Sequence, residues 1–260
     1  MCKEKDNTRK MKDDCKQKFD IITLFQTNST QTYIIEADKK NPLSEYSVVY
    51  TDNQVAGRGQ GTHSWESEKG KNICFSLVLT PQTISVSEQF FITQIISLAV
   101  VDTLVEYGLK DVKIKWPNDI YVKEKKICGM LVQNNIIGNQ IAKTFIGIGI
   151  NVNQSIFHFA PNPTSIFLER GKQNDLRKVL NDTLQHIFIR YQQLNDNQTK
   201  TIQDEYLSLL LFKNSWRNYI YNDKSIYAQI LTTNPYGHLI LQTNDNEIIT
   251  AELRELRFVF

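Results

Sequence analysis

Apolar positions change their period several times along the chain, and each change marks an expected element. Residues 21–25, 47–51 and 73–79 are apolar runs of strand length, the last bounded by Pro81. Between the first two, Ser29 or Thr30 is placed to cap a helix starting near Gln31. Ser85 and Glu88 stand at capping-box spacing. The helix predicted to follow, to about Tyr107, carries Phe90, Ile92, Ile95, Leu98, Val101 and Leu104 and is apolar nearly all round. Such a helix belongs against a sheet, and Gly108 is its expected stop. Strand-like segments over 112–116, 120–122 with 127–133, and 141–150 come next, joined by hairpin turns. The segment 141–150 is a candidate edge for pairing with a second chain. Helical spacing returns over 175–194 and 202–211. Short strands then run over 225–231, 238–242, 247–251 and 256–260. The pattern predicts an α+β fold, a mainly antiparallel sheet packed with helices, followed by a small barrel-like β domain. We divide the chain into a charged tail (1–18), a main domain (19–211) and a C-terminal β domain (212–260).

Composition narrows the class. A chain of 260 residues with 41% hydrophobic and 22% charged residues suits one sizeable globular domain with an appendage. A net charge of +2 gives no electrostatic footprint for nucleic acid or a membrane surface. Cys2, Cys15, Cys74 and Cys128 form no C-x-x-C pair, which fits reduced thiols in a cytoplasmic protein better than a disulfide scaffold or zinc site. No apolar run reads as long enough to cross a bilayer. The first sixteen residues are dense in both charges and lack the apolar core of a secretory signal, so a solvated tail is expected.

Three stretches carry candidate chemistry. Residues 54–72 (Q-V-A-G-R-G-Q-G-T-H-S-W-E-S-E-K-G-K-N) hold Gly57, Gly59 and Gly61 in alternation, with Arg58 between the first two. A bend without Cβ atoms lets backbone N–H groups cradle an anion, and arginine adds a fork of donors; a Gly-rich surface loop fits the same letters. In K-W-P-N-D, residues 115–119, Pro117 disfavours helix and sets Asn118 and Asp119 at a turn between strands. Lys126 returns near Asp119 across the hairpin; an ordinary solvated turn is the alternative. In G-I-G-I-N-V-N, residues 147–153, alternate glycines bare one strand face, for a ligand or for a packed helix.

Taken in order, these stretches resemble the biotin protein ligase family. The matching residues are S-T-Q at 29–31, Q-x-x-G-R-G at 54–59 with Trp65, K-W-P-N-D at 115–119, K-x-x-G at 126–129 and G-I-G-I-N-V at 147–152. The resemblance implies a catalytic fold like that of class II aminoacyl-tRNA synthetases plus an SH3-like C-terminal barrel. It also implies a two-step reaction: biotin and ATP, with Mg²⁺, give biotinyl-5′-AMP, and the adenylate acylates a lysine of a biotin carboxyl carrier domain. Carried over residue by residue, Arg58, Lys126 and Asp119 are the catalytic candidates. Ser29, Thr30, Gln31, Gln54, Arg58, Gly59, Gln60, Lys126 and Gly129 are the biotin-binding ones. Arg58, Trp65, Asn118 and Asn151 are the nucleotide-binding ones, and no residue is assigned to a metal.

The chain departs from the family in two places. Gln31 stands where the family often has Asn. The loop G-R-G-Q-G-T-H-S-W keeps Arg58 as its sole arginine, where G-R-G-R-R-G-R-x-W is common. His63 reads as a plain exposed histidine. The stretch before Ile21 leaves no room for the operator-binding module some members carry, so a monofunctional enzyme without a nucleic-acid partner is expected. The family includes monomers and dimers, which leaves a homodimer open. A lipoate or octanoate ligase or transferase is the alternative of the same fold, although its R-R-x-x-G-G-G loop is absent. A non-enzymatic biotin-binding regulator is a third reading.

Overall fold

The computed structural model describes residues 17–59, 61 and 63–260. Most of the tail expected at 1–18, with Cys2 and Cys15, lies outside the described residues, as does Gln60 of the glycine loop. A seven-stranded sheet organises the chain, in the order β1 (Asp20–Thr23), β2 (Ser47–Thr51), β5 (Ile73–Leu79), β9 (Gln140–Ile150), β8 (Lys125–Ile137), β7 (Asp119–Val122), β6 (Val112–Lys115). β1 and β2 are parallel and the remaining neighbours antiparallel. β9 is therefore central, between β5 and β8, and not the edge the sequence suggested. Both its ladders are filled.

The sheet has two unlike faces because side chains alternate along each strand. One face, with Val48, Leu77, Ile146 and Ile148, packs on α2 (Phe90–Glu106), as the helix's all-round apolarity predicts. α4 (Leu176–Asn195) and α5 (Thr199–Leu209) pack against α2 in turn. Arg190 of α4 bridges Asp102 of α2 and Glu205 of α5, with Nε 2.6 Å from the Asp102 carboxylate. The span Val86–Glu106 is long and apolar enough to cross a membrane, contrary to the sequence reading. Its apolarity has another cause, for 67% of its most apolar window is buried inside the protein.

The opposite face is covered only in part. α1 (Thr30–Lys40), capped by Ser29 as expected, seats Ile34 on Val49, Val78 and Phe145. Beyond Phe145 this face carries Gly147 and Gly149, and the site lies there. A short hairpin, β3 (Gly57–Arg58) and β4 (Ser64–Trp65), arches over it.

The last strands form a five-stranded antiparallel sheet, β13 (Ile248–Ala251), β12 (Leu239–Thr243), β11 (Lys224–Thr233), β10 (Trp216–Tyr221), β14 (Leu256–Phe258). Its two shortest strands, β13 and β14, stand at the ends of this order, and among the described residues no pairing closes it into the expected barrel. The sequence pattern missed β10 and the short helix α3 (Ile166–Arg170), whose C-terminus is set by Gly171. The second sheet is moored to the first: Trp116 Nε1 donates to the Gly237 carbonyl at 2.8 Å, and Leu211 N donates to Ile114 O.

Leu98 is fully buried at the centre of α2. Leu98→Ala is expected to cost about 2–5 kcal/mol, measured as the loss of unfolding free energy in urea.

Candidate active site

A cavity of about 840 Å³ opens on the bare part of the sheet, and the sequence-predicted residues other than Gln60, which lies outside the described residues, converge on it. Its floor is built from β8 and β9, where Gly129 faces Gly149, Leu131 faces Gly147 and Gln133 faces Phe145. The lack of side chains on β9 is used to the limit. A Cβ on Gly147 would stand 2.8 Å from Gln31 Oε1, and one on Gly149 would stand 2.5 Å from the Trp65 indole. Both readings left open for these glycines have a counterpart: Gln31, in the first turn of helix α1, lies on Gly147, and Trp65 of the hairpin lies on Gly149.

At one end of the floor sit neutral polar groups. Gln54 Oε1 accepts from Thr30 N at 2.9 Å, and Ser76 Oγ donates to Thr30 Oγ1 at 3.0 Å from beneath. Gln31 Nε2 donates to Gln133 Oε1 at 2.9 Å and to Phe145 O at 3.1 Å, while its Oε1 is buried without a partner. Ser29, Thr30, Gln31 and Gln54 are all more than nine-tenths buried.

The other end is ionic. Lys126 Nζ lies 2.7 Å from Asp119 Oδ1, as the hairpin predicted, and 5.7 Å from the centre of a Trp65 ring. Lys115 stands 4.0 Å from Asp119 and 4.9 Å from the centre of the Phe258 ring. Burial pushes the Lys115 ammonium down; Asp119 opposes the drop and Lys126 adds to it. Arg58 and Gly59 line the cavity from the hairpin, with Gly59 N donating to His63 O at 2.8 Å. His63 is exposed, as expected. Asn118 spends its amide N–H on Met130 O, and Asn151 donates to Thr164 O while its Oδ1 stays buried and unpartnered.

Sequence reasoning missed several wall residues. Lys115 was inside a quoted motif but given no role. Arg254, Arg257 and Phe258 come from the second sheet, where E-L-R-E-L-R offers only charges spaced by three. Phe157 and Phe159 come from the loop after β9. Glu66 ties that loop to the hairpin, accepting from the N–H groups of His158, Phe159 and Ala160 at 2.8–2.9 Å. Burial works to raise its pKa, but these three bonds outweigh it and the carboxyl sits below its ordinary value.

Comparison with known proteins places this architecture. Residues 24–151 match the model of the biotin/lipoate A/B protein ligase family. The biotin–[acetyl-CoA-carboxylase] ligase of Paracoccus denitrificans is 31% identical over 182 residues, which is 65% of this chain and 71% of that protein. The chain belongs to the biotin protein ligase family. The bifunctional ligase/repressor BirA of Bacillus subtilis is 29% identical over 243 residues, covering 87% of this chain and 71% of that one. The biotin protein ligase of Aquifex aeolicus, solved in complex with biotin and ATP, superposes with a TM-score of 0.75 at 25% identity, covering 92% of this chain and 97% of that one.

Two outcomes follow from this geometry. Gly149→Ala should displace the Trp65 indole and lower ligand affinity at least tenfold by calorimetry, since a methyl group cannot share that space. The Glu66 tether is fully formed above the ordinary glutamate value of 4.5 and is lost as pH falls through the depressed folded-state value. The amide protons of His158, Phe159 and Ala160 should therefore titrate together below pH 4.5 by NMR, and in Glu66→Gln they should not.

Proposed function

We propose that this protein is an ATP-dependent biotin protein ligase. The observation that carries the reading is the polarity of one continuous cavity. Buried neutral donors and acceptors (Thr30, Gln31, Gln54) lie at one end of a glycine floor, and Lys115 and Lys126 lie at the other. Biotin has the matching form, an apolar bicycle with a polar ureido edge and a carboxylate at the far end of a chain. Membership of the family and the likeness to the Aquifex aeolicus enzyme support the same assignment.

In the first step the biotin carboxylate attacks the α-phosphorus of ATP, and pyrophosphate leaves. Both reactants are anions, so the site must supply positive charge where they meet. Among the described residues, Arg58, Lys115, Lys126, Arg254 and Arg257 line the cavity against Glu66 and Asp119, with Arg257 also paired to Asp223 at 2.9 Å. Asp119 fixes the Lys126 ammonium through the 2.7 Å pair. The hairpin that carries Arg58, with the loop held by Glu66, covers the mixed anhydride and keeps water away. In the second step a carrier lysine attacks the acyl carbon and AMP leaves. In this reading Asp119 takes the proton of the incoming amine.

Mg²⁺ finds no protein cage here. Both lining carboxylates are engaged, and among the described residues no group of three or more His, Cys, Asp or Glu side chains could hold a metal ion. A Mg²⁺ ion arriving on the triphosphate is the arrangement compatible with this wall. Residues 19–211 would form the catalytic part, with residues 212–260 contributing the wall of Arg254, Arg257 and Phe258. The acceptor is proposed to be the carrier domain of a biotin-dependent carboxylase, modified in the cytoplasm, where Cys74 and Cys128 stay reduced.

The deciding assay is transfer of biotin to a carrier domain, dependent on both biotin and ATP. Activity with lipoate or octanoate in place of biotin would move the assignment to the sister ligases. Arg58→Ala should lower adenylate formation and Lys126→Ala should weaken biotin binding, each by roughly 1.5–3 kcal/mol; pyrophosphate exchange and calorimetry read the two effects.

A further inference from the structure

Gly237 is not part of the cavity wall, yet it is gripped by the turn that carries Asn118 and Asp119. It sits in the reversal between β11 and β12 with φ at +88°, and a Cβ there would stand 2.3 Å from the Phe90 ring. Trp116 Nε1 donates to its carbonyl at 2.8 Å. Tyr206 completes the clasp. Its ring meets that of Phe90 edge-on at 5.6 Å, and its hydroxyl donates to Pro117 O at 2.9 Å. Phe90, Trp116 and Tyr206 are all buried. The reversal is stiff in itself, since His238 N donates to Asn234 Oδ1 and Gly237 N to Asn234 O, both at 2.9 Å.

The grip reaches the wall through two strands. Leu239 of β12 pairs with Ala251 of β13, so the clasped reversal lies at the end of the sheet where β13 runs out into residues 252–255. That turn brings Leu253 and Arg254 into the cavity wall. It is braced: Glu252 N donates to the Glu255 carboxylate at 2.8 Å, and Asn222 N donates to Glu255 O at 2.9 Å. Arg254 therefore moves with the sheet. Arg257 is engaged by Asp223, whereas Arg254 pairs with no carboxylate among the described residues. The inner face of the sheet, with Tyr219, Ile230 and Leu241, holds it down through apolar contact, which is non-directional. A hydrogen bond and a notch that only glycine fits are directional, and they set a position. We propose that Gly237, clasped by Trp116 and Phe90, is a positioning residue for the nucleotide: it registers the second sheet on the W-P-N-D turn so that Arg254 faces the phosphates of ATP. This rests on the biotin ligase reading and deepens it, for it couples the ionic end of the cavity to a contact in the interface between the two sheets.

The test is a double-mutant cycle on the full chain, read by biotin-dependent exchange of pyrophosphate into ATP and by calorimetry with biotin. Arg254→Ala and Gly237→Ala should each raise KM for ATP about tenfold while the biotin Kd stays within about twofold of wild type. In the Arg254→Ala background, Gly237→Ala should change that KM by less than about twofold, since the contact it displaces is already gone. Trp116→Phe keeps an aromatic ring and loses the N–H donor, and should behave like Gly237→Ala in both backgrounds. Gly237 is the lead position because, unlike Trp116, it does not line the cavity. The same increase in both backgrounds, an unmoved KM, or equal losses for ATP and biotin would overturn the inference. Thermal melts identify a variant that fails to fold; if Gly237→Ala does so, Trp116→Phe decides. Absence of biotin-dependent exchange in the wild-type protein would overturn the functional reading and this inference together. Normal wild-type exchange with additive effects in the cycle would overturn the inference alone.

Discussion

A sheet face stripped of side chains has to be covered by something else, and this molecule is arranged around that need. Opposite the buried helix α2, β8 and β9 present Gly129, Gly147 and Gly149 where a packed sheet would carry branched residues. The missing volume admits the Gln31 amide and the Trp65 indole to within contact of backbone. Both side chains arrive from distant parts of the sequence and are held by other interactions: Gln31 by its cap helix and Gln133, Trp65 by the β3–β4 hairpin. The hydrophobic face beneath makes the platform rigid enough for this. A floor defined by backbone can shift only if the ladders of two central strands shift with it.

Charge is distributed along this floor with the same economy. Asp119 balances two lysines, and the surplus of positive charge is left to meet anionic substrates. Burial of Lys115 is tolerable because its ammonium also faces the Phe258 ring, so the second sheet contributes electrostatically as well as sterically. The thin arginine complement of the hairpin is thus offset in part by Arg254 and Arg257, which lie nearly two hundred residues further along the chain.

Much of this was legible in the sequence where local physics and tertiary need agree. The strands β2 and β5 fall where their apolar runs place them, and α2 could hardly be anything but a core helix. Glycine alternation and the K-W-P-N-D turn marked the floor and the ionic end. Long-range partnerships left no local trace. Nothing in S-T-Q reveals that Gln133 would meet Gln31, and W-E-S does not say that Glu66 would collect three N–H groups from residues 158–160. The charged and aromatic residues of β10 hid a strand with one fully buried position, Tyr219, and Tyr221 packed partly against the core. The edge expected at 141–150 failed because the letters of one strand do not say which neighbours fill its ladders.

The Glu66 tether has a consequence for how such a protein can diverge. The cover over the cavity is fastened to the neighbouring loop through main-chain groups, not through the side chains that face the ligand. A main-chain anchor is indifferent to the identity of the residues that supply it. The side chains at 158–160 are thereby released from holding the roof in place. They are free to drift toward whatever the ligand or the acceptor protein rewards, provided one carboxylate stays beside the tryptophan.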